Sequence, residues 1–398
     1  MDNKVAVIGL GYVGLPLAIS AAKNGYKVIG IDVDLSRIAQ INKGISPVED
    51  VSSLDLITVI QSGNFEVTDD FSKVSGVKIV VICVPTPLDE LRKPDLSHVC
   101  SSVKSFSKYL NTGSLVILES TVQPGTTRNY LVNLIGEHSD LPIDSFEIAY
   151  SPERIDPLNK NWNLNNTPKI VSGLTEKSTN SAVVFYSKFV ENIKICDSPE
   201  IAELAKLLEN TFRYVNISFV NEFSMFCQKL GVDVRKVIEA AATKPYGFMP
   251  FYPSIGVGGH CIPVDPMYLA QKAHEIGSPS RFIEIADEIN LNMPGYFVCR
   301  AEDLLGSLKG KLLIVIGVSY KANVADVRET PVLSLIQGLK NKGAVVSWHD
   351  DLVKEWNGEA STPLTNKYDL AILATPHDYL DLTKLGSIPV LDTRNSIS

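Results

Sequence analysis

An α/β fold is predicted, with two parallel-sheet domains joined by a central helical domain built on a long spine helix. Three observations lead there. Near the N-terminus an apolar run, Lys4 to Ile8, enters Gly9-Leu10-Gly11-Tyr12-Val13-Gly14 and passes into a helical pattern from Leu15 to Asn24. From Ile201 to about Lys229 helical periodicity continues without Pro or Gly, longer than an ordinary globular helix and suited to a spine between domains. The last hundred residues then repeat the plan of the first hundred. Both α/β parts read as Rossmann-like, with domains at 1–195, 196–300 and 301–398.

Taken in order, the first strand and glycine turn lead through the helix to a second strand, Lys27 to Ile31, which ends in Asp32. Strand, glycine-rich turn, helix, strand and acid is the order a dinucleotide site requires. Gly9 and Gly11 allow a tight turn and close approach to a pyrophosphate, Gly14 lets helix and strand pack, and the helix amides face the phosphates. Asp32 suits adenosine ribose hydroxyls and repels a 2′-phosphate, so NAD is expected rather than NADP. Strands at Lys78 to Val84 and Ser114 to Glu119 end in the loops Pro85-Thr86-Pro87 and Ser120 to Gly125. Another, Phe146 to Tyr150, runs into Ser151-Pro152-Glu153-Arg154. Ligands of open parallel sheets bind beyond the carboxyl ends of strands, so these loops are expected to line the cofactor cleft.

After the spine, helical patterns recur near Pro266 to Ala273 and Ser280 to Asp303. A strand then ends at Gly317, a helix covers Val332 to Lys342, and a strand from Val345 ends in Asp350. Tyr368 to Thr375 mirrors the early strand that ends at Pro85-Thr86. The turn Gly317-Val318-Ser319-Tyr320-Lys321-Ala322 lacks the glycine triplet, so this half is not expected to hold a second dinucleotide. Lys321 and Arg328 suit another phosphorylated ligand.

Composition limits the function classes. The chain has 398 residues, 45% of them hydrophobic, and a formal net charge of −8 without a basic run, which argues against nucleic acid as a partner. The six cysteines show neither metal-ligand nor redox-motif spacing, so no metal is expected and the thiols fit a reducing cytoplasm. Val5 to Ala22 is uncharged, but its three glycines and proline favour a buried strand–turn–helix over a membrane helix.

The chemistry concentrates in Gly256-Val257-Gly258-Gly259-His260-Cys261-Ile262-Pro263-Val264-Asp265-Pro266. Glycines allow close ligand approach and prolines stiffen the exit, so Cys261 is a candidate nucleophile four residues before a carboxylate. His260 reads as loop packing, because consecutive side chains normally point apart. On the spine helix Lys206, Asn210 and Arg213 share a face, with Glu203 one turn earlier, while Leu204, Leu207, Leu208 and Phe212 form a competing apolar face. Tyr268 and Lys272 match a Tyr-x-x-x-Lys spacing and read as a coincidence at the surface.

These motifs together resemble the nucleotide-sugar 6-dehydrogenases, which oxidise UDP-glucose, UDP-N-acetylglucosamine or UDP-N-acetylmannosamine. The resemblance covers essentially the whole chain. It is carried by Gly9-x-Gly11-x-x-Gly14, Val84-Pro85-Thr86-Pro87, Ser120-Thr121-Val122-x-Pro124-Gly125, Ser151-Pro152-Glu153-Arg154, Ala205-Lys206-x-x-Glu209-Asn210, the Cys261 loop, Tyr320-Lys321 and Arg328-Glu329-Thr330. Ser151 to Pro157 followed by Asn159-Lys160, and Lys244-Pro245-Tyr246-Gly247-Phe248, look most like the UDP-N-acetylglucosamine branch. Leu158 and Ser254-Ile255 depart from it, standing where glycine or Pro-Gly-Pro is common.

The resemblance implies a cytoplasmic homodimer built on the long helix, with NAD in the first domain and the uridine diphosphate held by the last. It implies four-electron oxidation of carbon 6 through a Cys261 thiohemiacetal and thioester. Lys206 and Asn210 would stabilise the oxyanion, and Asp265, Thr121 or Glu153 would activate water. Tyr12, Val13, Asp32, Arg37, Thr86, Thr121 and Arg328 would serve NAD. Glu153, Arg154, Lys206, Asn210, Arg213, Gly258, Tyr320 and Lys321 would serve the UDP-sugar. The other readings are a β-hydroxyacid dehydrogenase, which shares a Rossmann domain and a Lys-x-x-x-Asn helix but performs one oxidation without a thiol, and a non-catalytic NAD-binding regulator.

Overall fold

The computed structural model describes residues 3–156, 159 and 161–396. Pro157, Leu158 and Lys160, parts of motifs used above, lie outside the described residues. By compactness the chain forms two units, Met1–Leu208 and Glu209–Ser398, and the dividing point falls inside the longest helix.

The first unit is built on an eight-stranded sheet of order β3-β2-β1-β4-β5-β6-β7-β8. Its strands are β1 (Lys4–Ile8), β2 (Lys27–Ile31), β3 (Phe65–Thr68), β4 (Ile79–Ile82), β5 (Leu115–Leu118), β6 (Glu147–Tyr150), β7 (Lys169–Gly173) and β8 (Ile193–Ile195). Neighbours run parallel except β6 and β7, which pair antiparallel. Val5 to Ile8 and all of β5 are buried, as continuous apolar runs covered by helices on both faces require. One layer of cover includes α1 (Gly14–Lys23), α3 (Ser53–Gln61) and α6 (Glu176–Tyr186); the opposite one includes α4 (Ser97–Phe106) and α5 (Val132–His138). A short helix, α2 (Leu35–Asn42), follows β2; Asp34 caps it by accepting from the N–H groups of Ser36 and Arg37. The strand order reverses direction between β2-β1 and β4, so the crevice at the carboxyl ends of β1 and β4 is the switch point of the sheet.

Helix α7 (Pro199–Leu230) is continuous over 32 residues, two residues longer at its start than the periodicity indicated. In the second unit its later turns pack on α10 (Arg281–Leu305) through polar contacts. Tyr214 Oη donates to Asp287, Asn221 Nδ2 to Asn290 Oδ1 at 3.0 Å, and Asn290 Nδ2 to Ser218 Oγ at 2.7 Å. Between these helices in sequence come α8 (Val234–Ala242) and α9 (Asp265–Glu275), the latter with Pro266 in its first turn, where a missing N–H costs nothing.

Met293, Phe297, Val298 and Ala301 of α10 enter one core with β9 (Leu312–Ile316) and α11 (Val332–Asn341). Helical segment and second sheet therefore share one compact unit. This sheet has the order β10-β9-β13-β14 and is all parallel; β10 is Val345–His349, β13 Leu370–Leu373 and β14 Val390–Asp392. A two-stranded hairpin, β11 (Glu355–Trp356) with β12 (Glu359–Ala360), follows β10.

The two sheets repeat one construction. Gly9 N–H donates to Ile31 O and Leu10 N–H to the Asp32 carboxylate; Gly317 N–H donates to His349 O and Val318 N–H to the Asp350 carboxylate. Gly9 has φ 89°, and a Cβ there would meet Cys83 O at 2.8 Å. A Cβ on Gly14 would overlap the Gly9 carbonyl oxygen, whereas one on Gly11 has nothing within 4 Å. Gly14 is therefore a packing requirement of the fold, and Gly11 leaves room for a ligand. Gly14→Ala should cost about 1–3 kcal/mol by overpacking, seen as a lower midpoint in thermal or urea unfolding, while Gly11→Ala should leave that midpoint unchanged.

Candidate active site

The first unit supplies a cradle for a dinucleotide. Val13, before α1, makes no side-chain cap, while Leu15 and Leu17 N–H already bond Gly11 O and Val13 O, so the glycine turn itself and the start of the helix are the part of the corner suited to an anion. Asp32, 5% exposed, accepts from Leu10 N–H at 2.7 Å, from Asp34 N–H at 2.9 Å and from Arg37 Nη1 at 2.9 Å. Its carboxylate is thus fixed at the end of β2, next to the glycine turn, and Arg37 is tied to it. Tyr12, Val13 and Thr86 are half-buried around the same edge. An open space at Gly11, a capless helix start and a fixed acid fit NAD.

Loops after β4, β5 and β6 all leave the same carboxyl edge, as expected, and carry Thr86, Thr121 and Glu153. Ser120 Oγ donates to Val84 O at 2.6 Å and joins the first two loops. Glu153 Oε1 accepts from the N–H groups of Arg154 and Ile155 at 2.6 and 2.7 Å, and its Oε2 is 3.5 Å from Lys169 Nζ. Arg154 Nη1 donates to Pro168 O at 2.6 Å, so this guanidinium braces its own loop as well as being the substrate candidate named from the motif.

The start of the polar stripe of α7 turns inward together with Leu207. Glu203 is fully buried and Lys206 8% exposed, whereas Leu204, Leu208 and Phe212 of the apolar face are exposed. Glu203 accepts from Gly125 N–H at 2.6 Å and from both the N–H and the hydroxyl of Thr127, at 2.9 and 2.6 Å. It thereby caps the short helical turn Thr126–Leu131 and anchors the loop that carries Thr121. Burial pushes the Glu203 carboxyl up to about 6 despite these hydrogen bonds.

In the second unit the cysteine loop is held by α9 and by the turn after β9. The Cys261 carbonyl accepts from Val264 N–H at 3.1 Å and Asp265 N–H at 2.8 Å, which places the half-buried Cys261 just before the start of α9. Asp265 is 2% exposed, and its Oδ2 accepts from Asn210 Nδ2 at 2.5 Å. A Cβ on Gly258 would meet Tyr320 Cβ and Glu329 O at 2.8 Å, and Gly259 N–H donates to Arg328 O at 3.1 Å. The glycines therefore let the Cys261 loop lie flat against Tyr320 and the segment around Arg328.

Cys261, Asp265, Asn210, Gly258 and Tyr320 are brought together, with Lys321 on the same turn. Arg213 is exposed on α7. Arg328, expected at the edge of NAD, forms a side-chain ion pair with Asp326 whose shortest approach is 2.5 Å. Asp326 is half-buried, which by itself raises its pKa, but the hydrogen bonds from Arg328 bring it below the ordinary range. Asp350, the counterpart of Asp32, is bonded by His377 Nε2 at 3.1 Å and by the N–H groups of Leu352 and Val353; these bonds outweigh burial and lower its carboxyl to about 2.

Tyr268 corrects the reading of its motif as a surface coincidence, because it is fully buried while Lys272 pairs with Glu275 on the same helix. Glu119 and Lys169, buried beside Glu153, were not recognised from sequence; the available signal was a lysine opening an apolar strand.

A dinucleotide cradle on one Rossmann-like sheet, and a thiol-bearing glycine loop leading into a buried carboxylate that takes an amide from α7, define the chain as an NAD-dependent oxidoreductase. Residues 3–190 match the NAD binding domain, 200–292 the central domain and 314–398 the UDP binding domain of the UDP-glucose/GDP-mannose dehydrogenase family. The chain belongs to that family and is a nucleotide-sugar dehydrogenase; the last match supports a UDP-linked substrate.

It is 34% identical over 389 residues to the UDP-N-acetyl-D-glucosamine 6-dehydrogenase of Pseudomonas aeruginosa, covering 94% of this chain and 91% of that protein. It is 35% identical over 414 residues to a UDP-N-acetyl-D-mannosamine dehydrogenase of Methanococcus maripaludis, covering 99% and 93%. The solved UDP-D-ManNAc dehydrogenase of Pyrococcus horikoshii superimposes with a TM-score of 0.89 at 33% identity, covering 99% of this chain and 96% of that one.

Because Glu203 holds its proton up to about pH 6 when folded, against an ordinary value of 4.5, the folded state binds more protons than the unfolded state between these values. Stability attributable to this group is therefore full below about pH 4.5 and falls by about 2 kcal/mol as pH rises past 6. Glu203→Gln should remove that component. Urea unfolding of both proteins at pH 4.5 and 7 measures it as the change in their stability difference.

Proposed function

We propose that the chain oxidises carbon 6 of a UDP-N-acetylhexosamine, UDP-N-acetyl-D-glucosamine in the first instance, from alcohol to carboxylate. The observation that carries this reading is the Asn210–Asp265–Cys261 cluster, where a buried carboxylate accepts from an amide and its backbone N–H bonds the carbonyl of the thiol-bearing residue. A one-step dehydrogenase has no use for that thiol. The matches along the chain to an NAD binding, a central and a UDP binding domain of that family support it further. The Ser151 to Pro157 and Lys244 to Phe248 motifs, which look most like the UDP-N-acetylglucosamine branch, favour an N-acetyl sugar.

In the first oxidation the C6 hydroxyl gives its proton to Asp265, directly or through water, while Lys206 and Asn210 stabilise the developing oxyanion. NAD, when bound, accepts one hydride in each of the two oxidations. The Cys261 thiol then adds to the aldehyde: a sulfur–carbon bond forms and the proton passes to the oxygen, giving a thiohemiacetal that stays in the site. The second oxidation takes a hydride and a proton from it and leaves a thioester on Cys261. Water, activated by Glu153, Thr121 or Asp265, adds to the carbonyl; the carbon–sulfur bond breaks, the thiol regains its proton and the acid leaves. Arg154, Arg213, Gly258, Tyr320 and Lys321 are assigned to the diphosphate and sugar, and Tyr12, Val13, Arg37, Thr86 and Arg328 to the cofactor or its edge.

The apolar face of α7 supports a homodimer. Leu208 is 65% and Phe219 63% exposed, and Ile201, Leu204, Phe212, Phe226 and Leu230 extend the stripe. A contiguous apolar stripe of this length is a protein-interaction surface, and a second copy of the same helix matches it in length and character. Leu208→Glu combined with Phe219→Glu should convert a dimer to a monomer in light scattering.

With UDP-N-acetylglucosamine the enzyme should release two NADH per sugar consumed, and UDP-glucose should turn over poorly. Cys261→Ala should slow acid formation by on the order of 10³-fold or more, and Cys261→Ser should trap an oxygen ester. Acid formation by Cys261→Ala at the wild-type rate would defeat the covalent reading, and one NADH per substrate would favour the hydroxyacid-type alternative.

A further inference from the structure

Lys169 opens β7, and because β7 runs antiparallel to β6 its first residue lies at the carboxyl edge of the parallel strands. An otherwise apolar strand thus delivers an ammonium group beneath the loop that carries Glu153. Lys169 Nζ is 3.1 Å from Glu119 Oε2 and 3.5 Å from Glu153 Oε2. The lysine side chain is 4% exposed, Glu119 fully buried and Glu153 14% exposed. Tyr186 donates its hydroxyl to Glu119 Oε1, and its ring lies 4.9 Å from the ammonium.

Burial works against the charge of Lys169, but Glu119 and Glu153 outweigh it and raise its pKa, so the lysine stays cationic. Burial raises the Glu119 carboxyl, with Lys169 opposing. One cation is thus shared by two carboxylates, of which only Glu153 approaches the surface. Cys83, whose thiol burial pushes well up, faces the same cluster from the end of β4, and Arg154 flanks Glu153 on its own loop. Ser151 Oγ to Ile170 O at 2.8 Å and Arg154 to Pro168 O add two further ties between this loop and the start of β7.

We propose that Lys169 is a positioning residue that fixes the Glu153 carboxylate on its loop, with Glu119 competing for the same ammonium. This rests on the reading of Glu153 as a base in hydrolysis of the Cys261 thioester. A buried ion pair is weak evidence for stability, since apolar replacement is often neutral or stabilising. A role in tuning the one member that reaches the loop accounts for its retention.

The test compares Lys169→Met and Glu119→Gln in the full-length enzyme with NAD and UDP-N-acetylglucosamine. The pH profile of thioester hydrolysis is followed by acid release and by intact-mass measurement of the adduct on Cys261. In Lys169→Met the acidic limb should move up by about one pH unit or more and the adduct should accumulate, while the first NADH burst changes by less than about threefold. In Glu119→Gln the limb should move down, because Lys169 then serves Glu153 alone. Lys169→Arg should restore the wild-type limb at least partly.

Limbs that stay put, move the same way in both variants, or accompany an equal slowing of burst and hydrolysis would overturn the proposal. If Lys169→Met does not fold, Glu119→Gln decides alone: a downward shift supports the proposal, and no shift or an upward one refutes it. A wild-type enzyme that forms no adduct and releases one NADH fails at the parent reading instead, and takes this one with it.

Discussion

The close approach of backbone to backbone at the end of β1 is the constraint on which the first unit depends. Gly14 touches the Gly9 carbonyl so tightly that no Cβ fits. Only then can α1 lie against β1 and β4. Asp32 completes the corner by binding Leu10 N–H and Asp34 N–H. Everything attributed to NAD follows from that corner, because the remaining loops leave the same edge of the sheet. The second sheet repeats the corner at Gly317 and Asp350 but engages its acid with His377, and without the glycine triplet the turn is free to receive the flat glycine loop before Cys261.

Buried charge decides how the catalytic loops are held. Desolvating a carboxylate is expensive unless it finds donors, and here each buried acid has a specific set. Glu203 takes two backbone amides and a hydroxyl, and fixes the loop of Thr121. Glu119 and Glu153 share Lys169, and fix the loop of Glu153. Asp265 takes Asn210 and lies at the first turn of α9 beside the thiol-bearing loop. The groups proposed to do chemistry are in each case one residue or one loop away from an acid whose partners are supplied by a different strand or helix.

The long helix shows how the same pattern acquires opposite meanings. Glu203 and Lys206 of its polar stripe are inside with Leu207, whereas Leu204, Leu208 and Phe212 of its apolar stripe are outside. An isolated amphipathic helix on a monomer would be arranged the other way, with its apolar face to the core. Exposed apolar side chains of this kind are the observation on which the proposed pairing with a second copy rests.

Local features were legible in the amino-acid order. The turn Gly9-x-Gly11-x-x-Gly14, the acid ending β2, the loops after β4, β5 and β6, the duplication around Gly317 and the spine helix all depend on neighbours within a few turns, and pattern reports them directly. The Cys261 loop was legible for the same reason, since glycine and proline announce their backbone geometry. Which residues met across the chain was not. The Lys169–Glu119–Glu153 cluster depends on an antiparallel β7, the capping of Gly125 and Thr127 by Glu203 spans some 78 residues, and Asn210 meets Asp265 across 55. Periodicity divides a helix into faces but carries no information on which face turns inward, so the burial of Glu203 and Tyr268 and the exposure of Leu208 came only from packing. Sequence alone determined the local conformations and the chemical repertoire; tertiary structure decided their partners, because desolvation and pairing energies exist only once distant segments are brought together.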